Sequence, residues 1–130
     1  MVLVYRRLWL GVSLCLVALV VYLSLVPHPP TPLTFEHADK LEHGLAYATL
    51  ALCFCQIFLA KNMRVLILAA LIFLGVALEF VQGWTGYRTF DVLDMAANSV
   101  GVLLGYMLAL TPLGRVFGLI ETVMKKSYGH

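Results

Sequence analysis

The chain has 130 residues, room for one domain but not for a water-soluble core with a second module. Hydrophobic residues make up 62% of it and charged residues only 12%; soluble domains average about 45–50% and about 25%, so a water-exposed globule is excluded and lipid is the solvent that fits. A net charge of +2 is too small to imply nucleic acid, and none is expected as a partner.

Arg6 and Arg7 precede an unbroken apolar run at 8–26, whose 19 residues suffice to cross a bilayer. A cleaved signal peptide is the competing reading. The run is longer than a usual signal core and no A-x-A-like site follows it, so it is expected to stay as the first span. Pro27, Pro29, Pro30 and Pro32 then end the helix in a stiff, extended connection. A second span is expected at 41–60, its helix starting near Asp39, and Lys61-Asn62-Met63-Arg64 is read as a tight polar turn. The third span, 65–82, is broken by Gly83-Trp84-Thr85-Gly86. The fourth, 92–110, starts near Asp91 and stops at Thr111-Pro112. The remaining tail is mildly amphipathic and suited to a membrane surface. The predicted fold is therefore all-α: one domain, an integral membrane four-helix bundle.

Basic residues orient it. Arg6, Arg7, Lys61, Arg64, Arg115, Lys125 and Lys126 fall on one side, and only Lys40 and Arg88 on the other. By the positive-inside rule both termini are cytoplasmic. The opposite side carries Glu36, Asp39, Glu42, Glu79, Asp91 and Asp94, a net −4 once Lys40 and Arg88 are counted and the histidines are neutral. Cys15, Cys53 and Cys55 all lie in apolar runs without a redox or zinc spacing, and read as small packing residues.

Three helices deliver polar groups to that acidic side. Asp39, His43 and Tyr47 share one face of the second helix by their four-residue spacing. The third contributes Gly75, Glu79 and Gln82, and the fourth Asp91, Asp94 and Asn98. Each has a plainer reading. Asp39 before Glu42, and Asp91 before Asp94, resemble helix N-caps with acidic third residues. Asn98 suits a hydrogen bond between membrane helices. Glu79 sits at a helix C-terminus, where the macrodipole disfavours its charge, so it needs a partner: Arg88, Lys40, His43, a metal or a proton. Trp84 and Tyr87 read as interfacial anchors. Gly101 and Gly105 form a GxxxG pair that lets another helix approach, within the chain or in a homo-oligomer.

These pieces together resemble the VanZ-like family of small bacterial membrane proteins. The likeness runs over residues 38–106: Asp39-Lys40-Leu41-Glu42-His43-Gly44-Leu45-Ala46-Tyr47, then Glu79 to Gln82, then Tyr87-Arg88-Thr89-Phe90-Asp91-Val92-Leu93-Asp94, and Ala97-Asn98-Ser99-Val100-Gly101 with Gly105. Gly44 departs from the pattern, where relatives often carry an aromatic residue. The resemblance implies a multi-pass protein of the bacterial cytoplasmic membrane; the family takes its name from a member linked to teicoplanin resistance. The candidate polar site comprises Asp39, His43, Tyr47, Glu79, Gln82, Arg88, Asp91, Asp94 and Asn98. Three readings stay open. It binds or modifies an envelope lipid or lipoglycopeptide, with Arg88 as the anion contact. It is a hydrolase or transferase acting on an envelope lipid through a divalent metal, with His43, Glu79 and Asp94 as candidate ligands. Or it is structural, and the polar groups only join helices.

Overall fold

The computed structural model describes residues 1–30, 32 and 34–129. They form α1 (Arg6–Leu25), α2 (Ala38–Ile57), α3 (Lys61–Trp84), α4 (Val92–Ala109), a 3-10 turn (Pro112–Arg115) and α5 (Val116–Tyr128), with no strand among the described residues. α1, α3 and α4 are long and apolar enough to cross a membrane. α2 is as long as α1, at 20 residues, but opens with Asp39, Lys40, Glu42 and His43, so the expected second span differs in kind from the other three.

Burial shows why α2 tolerates those charges. α1 buries only Ser13, whereas α2 buries Tyr47, Leu50, Ala51 and the unbroken run 53–57. The second half of α2 is thus an interior element, while Leu41 and Leu45 nearer its start stay exposed. Leu8, Leu14, Leu19, Phe73, Leu103 and Met107 point outward and are exposed, a greasy perimeter that lipid covers and water would not. Cys53 and Cys55 pack inside as expected; Cys15 instead sits on the exposed side of α1.

The α2–α4 seam is the most extensive helix pairing among the described residues. A Cβ added at Gly101 would strike the Gly44 carbonyl, and one at Gly105 the Ala48 carbonyl. The GxxxG pair is thus used within the chain, with both glycines buried against α2.

Helix ends explain the rest. The last carbonyls of α1 lack partners in their own helix. Gln82 Nε2 donates to Ser24 O (2.8 Å), Tyr87 OH to Leu25 O (2.7 Å), and Arg88 Nη1 to Val26 O (2.9 Å). At the opposite end Arg64 donates to Cys55 O from Nη2 (2.6 Å) and to Phe58 O from Nε (2.9 Å), closing α2. Lys61 to Arg64 therefore form the first turn of α3 rather than a connecting turn; the connection is Phe58-Leu59-Ala60, with Phe58 and Ala60 extended. α3 continues to Trp84, two residues past the predicted stop, and Gly86 takes the positive φ of 78° that turns the chain.

The tail folds back. Glu121 accepts hydrogen bonds from Val4 N (2.8 Å), Tyr5 N (2.9 Å) and Trp9 Nε1 (2.9 Å). Trp9 stacks on Phe117 at 4.1 Å, and Gln56 Oε1 accepts from Phe117 N at 2.9 Å. The molecule thus has a basic end, where α1 and α3 start and α2 ends, and an acidic end where α1 and α3 finish and α2 and α4 start.

Candidate functional site

The site begins with the glycine seam. Because α2 and α4 approach so closely, the first turns of the two helices share one set of ion pairs. Lys40 Nζ lies 2.7 Å from Asp39 Oδ2, 2.7 Å from Asp91 Oδ2 and 2.6 Å from Asp94 Oδ1. One ammonium holds three carboxylates. Lys40 was absent from the candidate site residues read from the sequence; its central place follows from being the one cation on the first turn of α2.

Asp91 also caps α4: its Oδ1 accepts from Leu93 N at 2.8 Å. The Lys40 hydrogen bond holds its carboxyl below the usual carboxylate range. Asp39 does not cap α2. His37 occupies the N-cap with φ 58° and no side-chain cap is made, so Asp39, already inside the helix, is left to pair with Lys40. The cap reading thus holds for Asp91 and is corrected for Asp39.

Deeper along α2, His43 Nδ1 lies 3.1 Å from Asn98 Oδ1, and His43 Nε2 lies 3.9 Å from Asp94 Oδ2. Asn98 therefore does join two helices. Gly75 makes room for it: a Cβ there would sit 3.0 Å from Asn98 Cβ and 3.3 Å from Tyr47 Cε1. Tyr47 is 2% exposed and its hydroxyl finds no hydrogen-bond partner among the described residues.

Glu79, 1% exposed, finds a partner outside the expected set. Its Oε1 accepts from the Asp91 backbone N–H at 2.7 Å. The positive end of the α4 dipole thus offsets the negative end of α3. Gln82 and Arg88 turn away from the carboxylates toward the end of α1. Arg88 Nη1, expected to meet an anion, is engaged by carbonyl oxygens.

Beside the ion cluster lies a cavity of about 500 Å³ between α1, α2 and the proline-rich connection. Asp39, Glu42, His43, Tyr47 and Arg88 form its polar side. Val20, Leu23, Leu45 and Ala46 form its apolar side. The four-residue face foreseen for Asp39, His43 and Tyr47 is the face that borders this space.

Among the described residues, no three His, Cys, Asp or Glu side chains are grouped so as to hold a metal ion. His43 turns to Asn98, Glu79 to a backbone amide and Asp94 to Lys40. That donor set does not fit a divalent metal, and no step is assigned to one.

No solved structure matches the chain. An uncharacterized protein of the fission yeast Schizosaccharomyces pombe is 31% identical over 128 residues, covering 96% of this chain and 75% of the yeast protein. The likeness therefore reaches a eukaryote, and the bacterial setting implied by the sequence resemblance does not follow from it. The VanZ/LLP1 family profile matches residues 38–116, which include the ion cluster, the His43–Asn98 pair, Glu79 and the glycine seam. More than half of the chain lies within that match: it belongs to the VanZ/LLP1 family.

Proposed function

We propose that the chain is a multi-pass membrane protein in which α1–α4 cross as a four-helix bundle with both termini cytoplasmic. In this reading the acidic end faces the outer leaflet of a cell-envelope membrane. There it binds the polar head of an amphiphile, an envelope lipid or a lipid-tailed glycopeptide. The observation that carries this reading is the cavity, which sets carboxylates, an imidazole and a guanidinium against an apolar wall. Its volume decides how much of a ligand enters. Pockets that enclose a drug-sized molecule run to roughly 300–1,000 Å³, so about 500 Å³ admits a headgroup and the start of a chain but not a whole glycopeptide.

The test is capture of a photoreactive lipid by the full chain in bilayers. Leu45, 55% exposed, lines the cavity without belonging to the packed interior. Leu45→Trp should cut cross-linking severalfold and leave melting unchanged. Cross-links that map to α3, or capture that Leu45→Trp does not reduce, would remove the cavity as the binding place.

The structural reading is favoured by a different observation: Lys40, Asp91, Asp94 and Glu79 satisfy one another with no ligand. It expects no lipid capture above that of a control membrane protein, with Lys40→Met harming folding alone.

A further inference from the structure

The basic end has a second cavity, of about 310 Å³, bordered by Arg6 together with Leu3, Ile57, Phe58, Leu59 and Met63. Arg6 and Arg64 both lie near it, but their guanidinium groups are used differently. Arg64 turns inward and is engaged by the carbonyls of Cys55 and Phe58. Arg6 rests with its Cζ 4.9 Å over the Phe58 ring, a contact that leaves its N–H fork open to an acceptor. Among the described residues this end holds one carboxylate side chain, Glu121, and it is occupied by Val4, Tyr5 and Trp9. Arg7, Lys61, Arg115, Lys125 and Lys126 are exposed around it. α5 adds a lipid-compatible surface, since Leu119 and Val123 are 54% and 67% exposed while Phe117 and Glu121 hold its other face to α1.

We propose that this end is a binding site for an anionic phospholipid, with the headgroup phosphate on Arg6 in the small cavity and α5 laid along the headgroups. Charge complementarity selects an anion, because among the described residues five exposed cations and Arg6 face no carboxylate side chain that is not already engaged. Geometry selects a lipid over free phosphate. The walls beside Arg6 are apolar apart from Gln56, whose amide is already engaged by Leu52 O and Phe117 N, and they suit glycerol and acyl carbons, which a hydrated inorganic ion would leave unused. Each cation near such a surface strengthens binding about fivefold.

Trp9 sits at this end as a built-in reporter, and Trp84, the second of two tryptophans, is 80% exposed at the other end. With Trp84→Phe, emission comes from Trp9 alone. The full chain is reconstituted in phosphatidylcholine bilayers containing a fixed fraction of either brominated phosphatidylglycerol or brominated phosphatidylcholine. The brominated anionic lipid should quench Trp9 severalfold more than the neutral one. Arg6→Gln should reduce that excess at least fivefold with the Trp9 emission maximum and melting temperature unchanged, and Lys125→Gln with Lys126→Gln should weaken it further. Equal quenching by the two lipids in the Trp84→Phe chain would overturn the proposal, as would an excess that Arg6→Gln leaves intact. Loss of the excess on adding inorganic phosphate, but not chloride of equal ionic strength, would assign the site to the free ion and overturn the lipid. If Arg6→Gln alters melting, Arg6→Lys decides: it keeps the charge and should keep most of the excess.

Discussion

The two ends of this molecule handle charge in opposite ways. At the acidic end an ammonium is surrounded by carboxylates of two helices, and a glutamate behind them holds a backbone amide. At the basic end the one carboxylate side chain among the described residues is held by neutral N–H groups, and the cations other than Arg64 stay on the outside. The first arrangement locks helices together through opposite charges in a partly buried seam. The second locks them through hydrogen bonds and leaves its charge available to the surroundings. Net charge alone describes both ends as polar; the pairing pattern separates a clamp from a contact surface.

The largest disruption should come from the seam that carries both ends. Gly101→Val would drive a side chain into the Gly44 carbonyl; overpacking of this kind costs about 3 kcal/mol or more when backbone must move. Gly11, where a Cβ meets nothing within 4 Å, supplies the control substitution. Thermal melting in detergent should show a large loss for Gly101→Val and almost none for Gly11→Val. Equal stability would mean the α2–α4 contact does not organise the fold.

Next comes the contrast itself. Lys40 and Asp94 have side chains 21% and 12% exposed, so Lys40→Met strands repelling carboxylates. Breaking a fully buried pair costs about 3–5 kcal/mol; here about 2–3 kcal/mol is expected, because Asp39 and Asp91 keep more water. Asp94→Asn added to Lys40→Met should recover part of the loss. Glu121→Gln keeps shape and one acceptor oxygen but sets its NH2 against an N–H donor, and should cost about 1–2 kcal/mol. Denaturation of the three variants side by side measures this, and similar losses for Lys40→Met and Glu121→Gln would erase the distinction between the ends.

The smallest effect is on acid stability. Burial pushes the Glu121 carboxyl up, but the Val4 and Tyr5 amides and the Trp9 indole outweigh it and leave the group below its ordinary value. Its stabilisation is therefore complete above the unfolded pKa of about 4.3 and disappears as pH falls through the lower folded value. Asp91, lowered by Lys40, behaves the same way below about 3.9. Melting temperatures of Glu121→Gln and the unchanged chain should differ at neutral pH and converge in strong acid. A gap that stays constant down the pH series would show that the Glu121 charge is irrelevant.

Much of the acidic end was legible because its signals are local. Spacing on α2 placed Asp39, His43 and Tyr47 on one face, and the residue types at the start of α4 announced the Asp91 cap. Glu79 was legible as a group needing a partner, but a backbone amide has no sequence signature, so Asp91 N was not foreseen. The basic end was far less readable. Glu121 meets Val4 across 117 positions, and nothing in the mild amphipathicity of its tail marks that contact. One signal was available: α1 starts after Tyr5, which makes no side-chain cap, so its first N–H groups required an acceptor from elsewhere. The Arg88 contacts were hidden for a similar reason, since the open carbonyls of α1 that accept from its Nη1 have no sequence signature.

The charged head of α2 also bears on how such a chain is made. A lysine or aspartate carried into the bilayer centre costs roughly 2.5–3.5 kcal/mol on insertion scales, less near a helix end. α2 leaves the ribosome after α1, which offers it no carboxylate, while Asp91, a partner of Lys40, follows 51 residues later. In the proposed topology, a membrane position for α2 would therefore be less favourable when it is first synthesised than once α4 arrives, and insertion of this helix would be coupled to the completion of its neighbour.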